Sequence, residues 1–224
     1  MTLISDTSFD LLAQLAQNNT KDWYDVHKAD IKTHCLIPFG EMLEHVSNRL
    51  IDSPLPLEGS AKTMFRMHRD VRFSKDKSPY KTSVSGLLTP SGTKTETAGM
   101  VYAELNATGG WVAGGFYRLP TAQLSLIRQR IVDETPAFQA ILDGLADAGT
   151  KLADIDRLTR MPKGFSDYED HPNAEDIKCK SFIVRADIPK EAWLNGDVTG
   201  IIAGLARQAM PLIRFGKAAL VKPT

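Results

Sequence analysis

The hydrophobic period of this chain changes near residue 60, and that change restricts the folds open to it. Up to Leu50 the apolar residues recur at helical spacing. Phe9, Leu12 and Leu15 share one face of a first helix, with Ser8 placed to cap it and Asn18-Asn19 to end it. Thr20 caps a second segment with Asp22 in its first turn and Trp23, Val26 and Ile31 as core candidates. Pro38 should kink or split that segment before Phe39, Met42, Leu43, Val46 and Leu50 carry the stripe onward. The Pro- and Gly-containing stretch from Ser53 to Ser60 reads as a linker loop. Beyond it the period falls to two. Residues 63–73 alternate as a strand, with Phe65, Met67 and Val71 expected inside, and Ser74 to Pro79 is too polar to be anything but loop. Met100 to Leu105 and Trp111 to Tyr117 flank the Asn106–Gly110 turn as a hairpin. Thr121 starts a helix with Leu124, Ile127 and Ile131 inward, and Pro136 opens another through Phe138, Ile141 and Leu145. Phe182, Val184, Ala186 and Ile188 alternate in a late strand, and Ile201, Ile202, Leu205 and Leu212 mark a terminal helix. Helices flanking strands on short turns, without a βαβ rhythm, predict an α+β fold. The expected unit is a single domain over residues 8–217, its sheet mostly antiparallel and flanked by helices, with tails at 1–7 and 218–224.

Charge narrows the function classes. The 224 residues carry 27 Lys and Arg against 27 Asp and Glu, which argues against bulk attraction to nucleic acid or an acidic membrane. Apolar content of 42% is ordinary for a globular protein. Cys35 and Cys179 have no CxxC spacing and read as reduced, partly buried thiols, which suits a cytoplasmic location. The first residues show Asp6 and Asp10 and no basic n-region, and no apolar run approaches the ~20 residues of a membrane span.

Against this neutral background, Lys62 to Lys81 holds seven basic residues and two acids, a local charge of +5. Such concentration points to a focused anion site. Arg66, Arg69 and Arg72 recur every three residues, so in a strand at least one guanidinium faces inward and needs an anionic partner. The following loop offers Ser74, Lys77, Tyr80 and Lys81, a donor set suited to phosphate or carboxylate. The plain structural alternative is a solvated, lysine-rich hairpin that protects a sheet edge. Other signatures fail on mechanics. The stretch Gly86 to Thr95 is one residue too long for a phosphate loop and precedes a strand. His68-Arg69-Asp70 lacks the Asn that a kinase catalytic loop needs, since Lys75 stands there. Ser74/Lys77 and Ser78/Lys81 fit an SxxK spacing that arises easily in a lysine-rich loop. His27 and His34 are two helical turns apart, a poor metal pair. These residues identify no metal site, no cofactor and no catalytic group.

The stretch Arg66 to Thr82, RMHRDVRFSKDKSPYKT, resembles the signature of the domain-of-unknown-function family numbered 2461, a widespread family of conserved hypothetical proteins. Asn19 to Tyr24 with His27-Lys28, Gly114 to Pro120, Leu124 to Ile131, Met161 to Phe165, Asp170-His171-Pro172 and Lys180 to Phe182 are similar to its further motifs, in order. Ile31 stands where an aromatic is common in the family. The resemblance implies kinship without an activity, and it suggests that Lys163, His171 and Lys180 form a second basic wall facing the Arg69–Lys81 loop; the alternative is loop punctuation, with Pro162 and Pro172 setting turns and Gly164 permitting positive φ. The expected function is recognition of an anionic small molecule (phosphate, nucleotide or carboxylate) by Arg69, Arg72, Ser74, Lys77, Tyr80, Lys81, Lys163, His171 and Lys180. If the protein is an enzyme, phosphoryl or carboxyl chemistry would follow, with His171 or Tyr80 as acid/base candidate. The alternatives are a nucleic-acid-associated module, with Phe73 or Tyr80 stacking on bases, and a structural or partner-binding protein whose basic loop docks an acidic surface.

Overall fold

The computed structural model describes residues 4–96 and 98–221. The chain opens with α1 (Asp6–Gln17) and α2 (Lys21–Ile31). Ser5, not Ser8, caps α1; Ser8 lies one turn in, buried, where its Oγ accepts from the Ser5 N–H (3.1 Å) and donates to the His34 carbonyl. The Thr20 side chain accepts from the Trp23 N–H as expected. Val26 is 76% exposed, because it lies about 200° around the helix from buried Tyr24. A π-helical turn, Lys32–Leu36, leads into α3 (Ile37–Arg49). This wide turn accommodates Pro38, whose ring would otherwise crowd the carbonyl four residues back.

Four antiparallel strands follow in the spatial order β1 (Val84–Leu88), β2 (Ala98–Asn106), β3 (Gly109–Phe116), β4 (Phe182–Pro189). The β2–β3 turn is held by the Asn106 side chain, whose Oδ1 accepts from the Thr108 N–H at 3.0 Å. Between β3 and β4 the chain forms α4 (Thr121–Asp133), α5 (Thr135–Asp147) and the short α6 (Ala174–Ile177); after β4 come α7 (Lys190–Asn195) and α8 (Val198–Leu220). Val101, Ala103 and Leu105 of β2 and Val184 and Ile188 of β4 face the helices, with α8 laid across β3 and α3 against β1. Two glycines set that distance. A Cβ on Gly114 would stand 2.7 Å from the Ala209 Cβ, and one on Gly216 would enter the Phe116 ring at 2.3 Å. The result is the α+β domain with an antiparallel sheet that the periodicities predict, although α1 and α8 reach into the segments expected to be tails.

Residues 63–73 depart from expectation. They do not form a regular strand: the segment touches β1 through the Met64–Gly86 bridge and the Phe65 N–H to Ser85 carbonyl bond (2.8 Å). It then folds back on itself, with Arg69 N–H to Pro79 carbonyl (2.9 Å) and Lys81 N–H to Met67 carbonyl (2.7 Å). Met67 is buried, but Phe65 and Val71 are only half-buried. This is an irregular hairpin arm. Its charges keep much of it in water, and Pro79 supplies no N–H to a ladder. At the opposite edge, Ala153 donates to the Ile183 carbonyl (2.8 Å) and extends the sheet beyond β4.

Candidate functional site

The arm uses most of its charge internally. Arg69 pairs with Asp76 and also donates to the Ser78 carbonyl (3.2 Å). Arg72 makes a two-point contact with Asp70, Nε at 3.0 Å and Nη2 at 2.7 Å. Lys77 Nζ donates to the Val71 carbonyl (2.9 Å), and Lys81 Nζ sits 4.8 Å from the centre of the Phe65 ring. Ser74 is half-buried where the chain turns, its N–H on the Val71 carbonyl (3.3 Å). Tyr80 is buried, stacked on Tyr24 at 3.9 Å, and its backbone N–H and C=O are both bound by the Asn19 side chain (3.0 and 2.9 Å). Burial pushes the Tyr80 phenol above its usual range. Hydrogen bonds from the Ser78 side chain and backbone, and then from Arg69, hold the Asp76 carboxyl well below its usual range. Arg69 and Lys81 line a shallow hollow of about 390 Å³ together with Phe65, Arg66, His68 and Asp70. Arg69 is half-buried rather than inward-facing, and its anion is Asp76.

The second basic wall does not face the arm. The arm leaves the sheet beside the start of β1, level with Leu105, Gly110 and Ile188; Lys180 lies beside the start of β4, level with Phe116 and Ala98. They occupy diagonal corners of the sheet, three strand spacings or about 14 Å apart in width alone. His171 is a structural joint: its Nδ1 accepts from the Asn173 N–H (3.0 Å) and its Nε2 meets Thr135 Oγ1 (2.9 Å), which ties the loop to the start of α5.

Lys163 and Lys180 do come together, in a cavity of about 620 Å³ at the start of α4. Its lining carries five cations, Arg118, Arg128, Arg160, Lys163 and Lys180, against one carboxylate, Asp156. Arg118 Nε is bonded to Asp156 at 2.6 Å, and these two are the non-glycine residues with positive φ (46° and 50°) among the described residues. Such backbone strain persists only where surroundings enforce it; here the Arg118 N–H is held by Ser181 Oγ (3.1 Å) and the Asp156 carbonyl by the Lys180 N–H (3.0 Å). Arg128 is the unusual member. It is 2% exposed, its Nη2 donates to the Cys179 carbonyl (2.8 Å), and its Nε has no partner. No carboxylate pairs with it among the described residues, and burial depresses its basicity. The sequence carried the signal: position 128 follows Leu124 by four and Ile127 by one, inside the apolar stripe of α4.

A larger cavity of about 920 Å³ lies between the ends of α3, α4 and α8 and is also cationic. There Arg130 is paired with Glu134 (2.9 Å), Lys217 with Glu96 (2.6 Å), and Arg207 donates to the Arg49 carbonyl. Two of the five lining cations there are paired with carboxylates, against one of five at the start of α4, among the described residues. Cys35 and Cys179 are free and buried, and burial pushes the Cys35 thiol up to about 12. Among the described residues no three His, Cys, Asp or Glu side chains gather to hold a metal ion, and no helix is long and apolar enough to cross a membrane.

Four of the stretches singled out by motif meet at this corner: Gly114–Pro120 supplies Arg118, Leu124–Ile131 supplies Arg128, Met161–Phe165 supplies Lys163, and Lys180–Phe182 supplies Lys180 and Ser181. The sequence model of the family described as Conserved hypothetical protein (DUF2461) matches residues 7–215. The chain belongs to that family. The match spans every strand and extends from α1 into α8, so arm, sheet and corner all belong to the DUF2461 unit. Neither a curated protein nor a solved structure matches the chain.

Proposed function

We propose that this protein binds an anionic small molecule, a phosphate or carboxylate compound, in the cavity at the start of α4. The observation that carries the reading is Arg128, a buried guanidinium with an unpartnered Nε and no counter-charge among the described residues. An unpaired buried charge is strongly unfavourable, and a bound anion offsets it. Arg160, Lys163 and Lys180 add charge at the rim, and α4 begins beside them after Pro120 without a side-chain cap, leaving first-turn N–H groups to an acceptor. Should the protein be an enzyme, the same cations would stabilise charge developing in phosphoryl or carboxyl transfer. The free thiols suit a reducing compartment, so we place the protein in the cytoplasm.

Arg128→Met tests the reading by thermal shift with inorganic phosphate, pyrophosphate, citrate and nucleotides. Replacing an uncompensated buried charge by an apolar side chain of similar length should leave the melting temperature unchanged or raise it. The ligand-induced shift of the wild type should vanish. A lowered melting temperature with an unchanged anion response would show that Arg128 serves the fold through Cys179, and the proposal would be wrong.

A second reading rests on Phe73. It is 96% exposed at the tip of the cationic arm, with the Arg72 guanidinium 5.8 Å from its ring centre. An exposed aromatic beside cations suits docking to a nucleic-acid strand or an acidic partner surface. Binding that weakens steeply with salt and is lost in Phe73→Ser would favour this reading.

A further inference from the structure

The sheet face opposite α8 carries a groove that the anion reading leaves unexplained. Across the strands its residues stand in rows, Met100–Gly115–Ile183, then Tyr102–Ala113–Arg185, then Glu104–Trp111–Asp187. The central strand contributes glycine and alanine where its neighbours contribute long side chains, so the floor sinks along β3. Trp111 stands at one end and Tyr117 and Arg118 flank the other, around a volume of about 600 Å³. That volume is in the range of small-ligand sites. The walls are aromatic and cationic. Tyr102 and Trp111 have ring centres 4.6 Å apart, Arg185 lies 4.6 Å from the Trp111 centre, and Arg118 lies 5.3 Å from the Tyr117 centre. Both inner rings are fixed by a neighbour on the same face, since Glu104 accepts from Trp111 Nε1 (3.1 Å) and from the Tyr102 hydroxyl.

The groove and the basic cavity share a wall. Arg118 and Asp156 line both. Resting on the anion-site reading above, we propose that the two form one binding site for a nucleotide, its base in the groove against Trp111 and Tyr102 and its phosphates among Arg128, Lys163 and Lys180. The charges favour this occupant over a neutral aromatic compound, because the groove opens at Arg118 onto uncompensated cations. A long polymer is disfavoured, because Trp111 blocks the far end.

Calorimetric titration of the full chain with pyrophosphate and with ADP, GDP, CDP and UDP tests the proposal. At least one nucleoside diphosphate should bind ten-fold or more tightly than pyrophosphate, the gain expected of roughly one stacked base. Trp111→Ala and Ala113→Leu should each bring that nucleotide down to the pyrophosphate level and leave pyrophosphate unaffected. Ala113→Leu fills the groove without removing a hydrogen bond, so it retains the test should loss of Trp111 perturb folding; melting curves of both variants check this. Arg128→Met should abolish binding of both ligands. Pyrophosphate binding with no nucleotide gain, or a gain that survives both groove variants, would overturn the base subsite and leave the anion site standing. Nucleotide binding that depends on Trp111 but ignores Arg128→Met would overturn both the single-site proposal and the anion reading. Absence of binding by all five compounds would overturn both as well.

Discussion

Asn19 and Arg128 show how one side chain can hold a distant segment or create a need for a ligand. Asn19 spends its amide on the two backbone groups of Tyr80, 61 residues away, at the point where the arm meets α2. Truncation would leave a buried N–H and a buried carbonyl without partners, at about 1–3 kcal/mol. Asn19→Ala should therefore lower stability by that amount, with faster hydrogen exchange at Tyr80 and Lys81 as the local signature. Unchanged exchange there would show that the Tyr24–Tyr80 stack alone seats the arm. Arg128 has the reverse logic: it gives the Cys179 carbonyl a bond but has no carboxylate partner among the described residues, so its replacement by Met should not destabilise. Neither role was read from the sequence. Asn19 looked like a helix terminator, because a contact over 61 residues has no periodic signature. Arg128 lies within the apolar stripe of α4, a position that predicts burial but not the lack of a counter-charge.

At the scale of elements, the arm is a charged hairpin held by its own ion pairs. Asp70 and Asp76 are both held below the usual carboxylate range, Asp70 first by the Arg72 side chain and Asp76 first by Ser78. A carboxyl with a depressed folded-state pKa contributes stability that is present above its unfolded value, about 3.9, and is lost as pH falls below it. The arm should thus loosen in acid below about pH 4 while the sheet persists, seen as amide signals of 69–78 broadening before those of β2 and β3. Coincident loss would mean that the arm has no independent stability. The helix–sheet contact makes a different demand. Gly114→Val should push α8 away from β3 and destabilise by about 1–3 kcal/mol or more through overpacking, measured by urea denaturation.

In the whole molecule, the sheet separates two basic regions that the sequence suggested were one. Their placement at diagonal corners predicts independence. Arg69→Lys should weaken the arm, since lysine cannot reproduce the contacts to Asp76 and Ser78. It should leave any anion-induced thermal shift at the α4 corner intact. Combined with Arg128→Met, the stability changes should add within about 0.5 kcal/mol, as for distant sites. Strong coupling would place the two regions in one network and undo the separation.

The periodicities alone determined the α+β class, the β2–β3 hairpin, the late strand and the helices after Thr121 and Pro136, because each depends on residues only a few positions apart. They also determined where charge is concentrated. They did not determine what the charge faces. Ion pairs between Arg69 and Asp76 or Arg72 and Asp70 compete with a ligand for the same guanidinium, and only folded geometry settles that competition. The corner at α4 draws Arg118, Arg128, Lys163 and Lys180 from four stretches separated by loops and strands. The groove draws its floor from β3 and its walls from β2 and β4. Both are products of strand order and register. One residue of slip would turn Tyr102, Trp111 and Arg185 to the other face, so the three-dimensional pairing alone brought them together.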